Sequence, residues 1–344
     1  MWSRLRVRSL PPSFVAIGGG TGLSTMLRGL KQHTDRITAI VSVGDDGGSS
    51  GRLRKEFGII PPGDIRNCLA ALAEAPPTLE ALFQYRFPGS SELSGHAFGN
   101  LFLAALTEIT GDVRLALKEA TRILAVRGQV LPASEEKVSL VATHADGTKT
   151  TGEVEVVKAR RPIERLELKP TPGPIAEDLF RALKDADLIV LGPGSLYTSV
   201  LPPLIVPGMA EAVAASPAPV VYVCNIMTQP GETDGFGAAD HVRVLESHTQ
   251  AGLVDHVLVN NAKLTRVALA TYSENEQTPV AVESKEDWPH RAVLHRRPLA
   301  AAGDTIRHDP GALARVLLSL LKPRRLRNRT ARASANRNGH KREP

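Results

Sequence analysis

Two short apolar runs in this chain each end in a cluster of glycines, and that pairing limits the fold more than any other feature. Phe14-Val15-Ala16-Ile17 leads into Gly18-Gly19-Gly20-Thr21-Gly22-Leu23-Ser24, after which a helical pattern begins. Asp187-Leu188-Ile189-Val190-Leu191 ends in Gly192-Pro193-Gly194-Ser195-Leu196-Tyr197. Bare backbone at a strand-to-helix turn lets main-chain N–H groups approach an anion at the positive end of the helix. Two such turns point to a parallel sheet whose edge holds a ligand carrying phosphates.

The periodicity of the rest agrees. From residue 14 to about 125 strand and helix alternate, with a second strand over Ile37–Val43 and helices near 24–31, 64, 78–86, 98–109 and 112–126. Alternation resumes with strands at 187–191, 219–224 and 256–259, helices near 207–215 and 238–249, and a last amphipathic helix at 311–321. This predicts an α/β fold with a doubly wound, mostly parallel sheet. Between about 129 and 169 the period changes. Val138–Thr143 and Gly152–Val157 flank Asp146-Gly147, a hairpin turn signal, so an antiparallel β-hairpin insert is expected there. The expected organisation is an arm over 1–12, one α/β domain over 13–322 and a basic, disordered tail over 323–344.

Composition removes several function classes. No run of 18 apolar residues exists and the N-terminus lacks an apolar signal core, so a cytoplasmic protein without a transmembrane segment is expected. Cys68 and Cys224 lie far apart in apolar surroundings and read as reduced core residues. The net charge of +6 is an average: residues 322–344 carry nine Lys or Arg against one acid, which leaves the body at −2. Such a tail could grip nucleic acid or an anionic membrane, but it has no interleaved aromatics and reads first as a solvated extension.

The first glycine loop is neither a dinucleotide fingerprint, whose third glycine would fall on Leu23, nor a P-loop, because no Lys-Ser or Lys-Thr pair follows. Taken alone it is equally readable as a tight turn. The second strand ends in Gly44-Asp45-Asp46-Gly47-Gly48-Ser49-Ser50-Gly51-Arg52. A carboxylate there suits a ribose, a pair of them suits Mg²⁺, and Arg52 and Arg54 have the fork geometry for phosphate. Asp64 reads as an N-cap, with Arg66 and Asn67 free on the first helical turn. His96, in Gly95-His96-Ala97-Phe98-Gly99-Asn100, reads as a hydrogen-bonding group rather than a metal ligand. The loop Asn225–Gly235 is rich in amides and hydroxyls that suit sugar hydroxyls or a base edge. No nucleophile elbow, Ser-His-Asp order or Cys-His pair stands out.

At these strings the chain resembles the YvcK/CofD-like family, in its YvcK branch, over most of residues 14–260. The string Asp45–Arg54 has the form of that branch, and Pro61–Cys68, Gly95–Leu101, Leu191–Ser199 and Val223–Gly235 extend the likeness. The resemblance implies a Rossmann-like sheet and a cytosolic, UDP-N-acetylglucosamine-class nucleotide-sugar-binding regulator. Such a gluconeogenesis factor serves cell shape and wall-precursor supply on gluconeogenic carbon and requires no cofactor. In that reading Gly18, Gly19, Gly20, Thr21 and Gly22, with Gly192, Gly194 and Ser195, hold the pyrophosphate, helped by Arg52 or Arg66. Asp45 or Asp46 takes the ribose, and Asn225, Thr228 and Thr233 read the sugar or base. Ser49, Asn67, His96, Asn100 and Tyr197 complete the candidate ligand set. The CofD branch implies an alternative: a transferase moving a phospholactyl-type group from a nucleoside-diphosphate carrier, with Asp45, Asp46 and Asp64 carrying Mg²⁺ and a nucleoside monophosphate released. A homo-oligomer is expected in either case.

Overall fold

A computed structural model describes residues 10–284 and 286–321. Ten strands form: β1 Phe14–Gly18, β2 Ile37–Val41, β3 Gln129–Pro132, β4 Ser139–His144, β5 Lys149–Thr151, β6 Ile163–Lys169, β7 Leu188–Leu191, β8 Val220–Val223, β9 His256–Asn260 and β10 Val293–Arg297. Seven of them make one sheet in the order β10-β9-β8-β7-β1-β2-β3, and every neighbour pair is parallel. β1, β2, β7 and β8 are buried at every residue, as strands covered by helices on both faces must be.

The order contains one reversal. From β1 the chain moves to β2 on one side, whereas β7 pairs with β1 on the other side and leads outward to β8, β9 and β10. The carboxyl ends of β1 and β7 therefore flank the crevice where open α/β sheets place their ligands. Register puts the two glycine loops side by side there: Ile17 pairs with Leu191, and the Gly192 N–H donates to the Ile17 carbonyl at 2.9 Å.

The helix Gly20–Leu30 fixes the first loop. Its residues Leu23, Met26, Leu27 and Leu30 recur at helical spacing and are fully buried. Each such side chain is worth ~1.5–3 kcal/mol on burial, enough to pin the helix start against the sheet. Cys68 and Cys224 are buried, and burial pushes both thiols up, Cys224 to about 12, as inert core residues require.

The antiparallel insert is a three-stranded sheet in the order β5-β4-β6, with its turn at Asp146-Gly147. Two boundaries differ from the sequence reading. Residues 129–132 join the main sheet beside β2 rather than the insert. Residues 153–159, whose Val154 and Val156 alternate as in a strand, form a helix instead. Gly152 breaks the extended backbone at φ +97°, and the Asp46 carboxylate accepts the Val154 N–H at 3.1 Å, so a distant side chain caps a helix that its own sequence does not announce. Residues 11 and 12 are tied to the body: Thr34 donates to the Pro12 carbonyl and Arg36 to that of Pro11. The tail expected over 323–344 lies outside the described residues. Among those residues no single helix is long and apolar enough to cross a membrane.

Candidate functional site

The two glycine loops touch. A Cβ on Gly22 would lie 2.5 Å from the Pro193 carbonyl oxygen, so a side chain there would force the loops apart. Gly192 turns at φ +76°, a conformation that favours glycine, immediately before the cis Gly192–Pro193 peptide. Beneath the joined loops opens a cavity of about 330 Å³, within the size range of small-molecule sites. Gly20, Thr21 and Gly22 form one wall and Gly194 and Ser195 another, with Asn225 and Gln229 bridging from the loop after β8. Ile226, Met227, Tyr272 and Ile306 supply apolar lining, joined by the exposed Arg307 and the buried His308. The Tyr272 hydroxyl is occupied, donating to the Ile306 carbonyl and accepting its N–H, so the ring itself serves as wall.

Directed hydrogen bonds run along one side. Asn225 Nδ2 donates to Gln229 Oε1 at 2.8 Å, and Gln229 Nε2 donates to Ser195 Oγ at 2.6 Å. Behind Ser195 the buried Glu232 carboxyl accepts the Thr198 hydroxyl at 3.4 Å, and the polar groups of Ser195, Tyr197 and Thr198 around it favour its charged form. Burial outweighs these donors and pushes Glu232 up to about 7.

A second polar group adjoins the first loop on the β2 side. Asp64 is in the first turn of the helix Gly63–Leu72, whose N-cap is Pro62, and so does not fill the expected capping role. Its carboxylate instead packs against Gly19, where the neighbouring Gly20 N–H favours its charge, and backs the glycine loop. Burial, with the nearby Asp45 charge, raises Asp64 to about 6 despite that N–H. Glu153, at the start of the insert helix, is half-buried beside Asp45, Asp64, Glu232 and Asp46, and burial together with their charges pushes it up to about 9.

The remaining predicted residues are bound to protein. Asp45 accepts the Gly47 N–H at 2.9 Å, and Asp46 holds the insert helix. Ser49, His96 and Asn100 form a buried network, Ser49 Oγ lying 3.0 Å from His96 Nδ1 and accepting from Asn100 Nδ2. Arg66 is buried, bonds Gln84 and Asn67, and is lowered to about 10 by burial. Arg52 donates to the Ser94 carbonyl and Arg54 to that of Val138. Tyr197 is buried with its hydroxyl on the Ile163 carbonyl. Thr228 bonds Thr278, and Thr233 accepts the Gln229 N–H. The structure thus brings Gly20, Thr21, Gly22, Gly194, Ser195 and Asn225 to the cavity, with Gly18, Gly19 and Gly192 behind them. It leaves Asp45, Asp46, Ser49, Arg52, Arg66, Asn67, His96, Asn100, Tyr197, Thr228 and Thr233 off the cavity wall.

Sequence reasoning did not find Arg307, His308, Tyr272 or Gln277, which carry no glycine string or special spacing. Gln229 and Glu232 lay inside a quoted polar loop without being singled out. Among the described residues no three His, Cys, Asp or Glu side chains converge in a metal-holding arrangement. A Mg²⁺ ion here would rest on one or two carboxylates of the Asp45 and Asp64 group and on ligand phosphates, a donor set that Mg²⁺ accepts.

Comparison with known proteins gives consistent relatives. The family model described as 2-phospho-L-lactate transferase CofD matches residues 14–297. The protein named gluconeogenesis factor of Bacillus subtilis is 46% identical over 312 residues, spanning 90% of this chain and 98% of its own. Its namesake from Halalkalibacterium halodurans is 51% identical over 269 residues, spanning 78% of this chain and 84% of its own. The crystal structure of a UPF0052-family protein from Bacillus halodurans superposes with a TM-score of 0.86 at 45% identity, covering 89% of this chain and 99% of that one.

Proposed function

This chain belongs to the CofD family, alongside its gluconeogenesis-factor relatives, and from that premise we propose that it is a cytoplasmic nucleotide-sugar-binding regulator. One observation carries the reading: two glycine loops meet at the sheet's reversal and open on a cavity walled by backbone, hydroxyl and amide groups. Backbone N–H groups of Thr21 and Gly22 and of Gly194–Ser195 suit a diphosphate, with the exposed Arg307 as a countercharge. The apolar wall of Ile226, Met227, Tyr272 and Ile306 suits the face of a base or sugar, and Asn225 and Gln277 suit its polar edge. The ligand class we assign is a UDP-sugar such as UDP-N-acetylglucosamine, and the role is gluconeogenic growth with supply of wall precursors and control of cell shape.

Calorimetric titration of UDP-N-acetylglucosamine into the full chain tests this. Saturable heat with one ligand per chain is expected; no heat up to millimolar ligand would sink the reading.

A second reading is favoured by the carboxylates beside the first loop. Asp45 and Asp64 with Mg²⁺ would suit a CofD-like transfer from a nucleoside-diphosphate carrier, the ion neutralising charge on the phosphates. Release of a nucleoside monophosphate from a carrier and acceptor, dependent on Mg²⁺, would select this reading over the first.

A further inference from the structure

Tyr272 commits its hydroxyl to one residue of another segment, and that residue directly precedes the arginine of the cavity. The phenol donates to the Ile306 carbonyl at 3.2 Å and accepts the Ile306 N–H at 3.1 Å. A hydroxyl has one hydrogen and two lone pairs, so one side chain does for Ile306 what a neighbouring strand would do. Among the described residues no other hydrogen bond holds the Ile306 main chain.

The opposite edge of the 306–309 strip is fixed independently. The Ala301 N–H donates to the Arg307 carbonyl at 2.8 Å, and the Asp309 N–H donates to the Leu299 carbonyl at 2.7 Å. Leu299 and Ala300 in turn donate their N–H groups to Asn260 Oδ1, at the end of β9, each at 2.9 Å. Arg307 therefore projects from a strip with a firm outer edge and an inner edge that rests on one phenol. Its side chain is exposed, lines the cavity and forms no ion pair among the described residues.

The helix Arg266–Glu274, which supplies Tyr272, is lightly held. It buries Ala268 alone, in a small apolar cluster with Ile226, Met227 and Ile306 that is separate from the main core. The half-buried Tyr272 ring packs on the same cluster. Beyond the helix Gln277 donates to the Thr228 carbonyl at 3.3 Å, and the Thr278 N–H donates to the Thr228 hydroxyl at 3.0 Å. The segments 226–229, 272–277 and 306–308, which line one part of the cavity, are thus bonded in series, and Tyr272 makes the link between the last two.

We propose that Tyr272 is a positioning residue for the ligand's diphosphate: its hydroxyl pins Ile306, so that the Arg307 guanidinium is held at the cavity before the ligand arrives. A long cation ordered in advance spares the entropy of ordering it on binding. Without the hydroxyl the strip is free along its inner edge, and the charge has to be gathered from a wider range of positions. The inference rests on the reading of this cavity as a nucleotide-sugar site.

Calorimetry of UDP-N-acetylglucosamine with the full chain tests it as a double-mutant cycle. Tyr272→Phe keeps the ring in the apolar lining and removes only the hydroxyl, and it should weaken binding about fivefold. In an Arg307→Ala background the same change should weaken binding less than about twofold, because the charge it positions is gone. Wild-type affinity in Tyr272→Phe overturns the inference. An equal loss with and without Arg307 also overturns it, since Tyr272 then acts as lining alone. If Tyr272→Phe does not fold by circular dichroism, hydrogen exchange of the wild-type chain decides: the Ile306 amide should be protected before ligand is added, and an unprotected amide overturns the inference. Each of these failures touches this inference alone. Absence of heat with the wild-type chain overturns the cavity reading and this inference together.

Discussion

The loops after β1 and β7 and the loop after β2 are all rich in glycine, yet they do opposite work. The first pair is built from backbone: Gly20–Gly22 and Gly194–Ser195 face an open cavity with few side chains between them. The second is built from side chains that answer one another. Asp46 caps the insert helix and Ser49 bonds His96 and Asn100 from later segments, while Asp64 of the following helix packs against Gly19. A loop whose main chain is left bare is available to a ligand, whereas one rich in short polar side chains consumes its own hydrogen bonds. The β2 loop is therefore the frame that keeps the glycine loops in place.

Breaking the glycine side of this comparison should cost most. Gly22→Val puts methyl groups into the Pro193 carbonyl, and we expect at least ~100-fold weaker ligand binding with ~3 kcal/mol or more of destabilisation. Calorimetry together with chemical unfolding checks both. Binding within threefold of wild type would show that the loops need not meet.

The frame side has an electrostatic signature. Glu153 goes from an ordinary 4.5 when unfolded to about 9 when folded, so the folded state keeps a proton that the unfolded state releases. Stability should fall as pH rises across that window, by up to ~1.4 kcal/mol per unit for one proton. Glu153→Gln should flatten this slope and raise the melting temperature at alkaline pH. An unchanged profile of melting temperature against pH would place Glu153 outside the acidic group.

Two smaller effects sharpen the contrast. Arg307 is exposed in the cavity lining, and Arg307→Ala should weaken UDP-N-acetylglucosamine about tenfold, ~1.4 kcal/mol, with no change in melting temperature. Asp46→Ala should do the reverse, costing ~1 kcal/mol of stability through the lost helix cap while affinity stays within about threefold. A loss of binding in Asp46→Ala larger than in Arg307→Ala would return that carboxylate to the ribose.

What could be read in advance follows from the same division. The parallel sheet and the two glycine loops were legible because hydrophobic runs and glycines leave local marks, whereas the strand order was not. The helix at 153–159 was not, because its cap comes from Asp46, more than a hundred residues away. Nor were the partners of Ser49, Arg66 and Thr233, since a side chain's type says what it can bond and only the fold says what it does bond. Arg307 and Tyr272 were invisible for a related reason: they reach the cavity through the packing of late segments against early ones, and nothing in their own neighbourhoods marks them.

That packing has a consequence for how the molecule matures. The lining of the cavity runs from Gly20 to His308, so a growing polypeptide possesses no finished pocket until residue 308 has left the ribosome. Any ligand that binds only the finished pocket would shield chains that extend past residue 308 from degradation and leave shorter ones exposed to it.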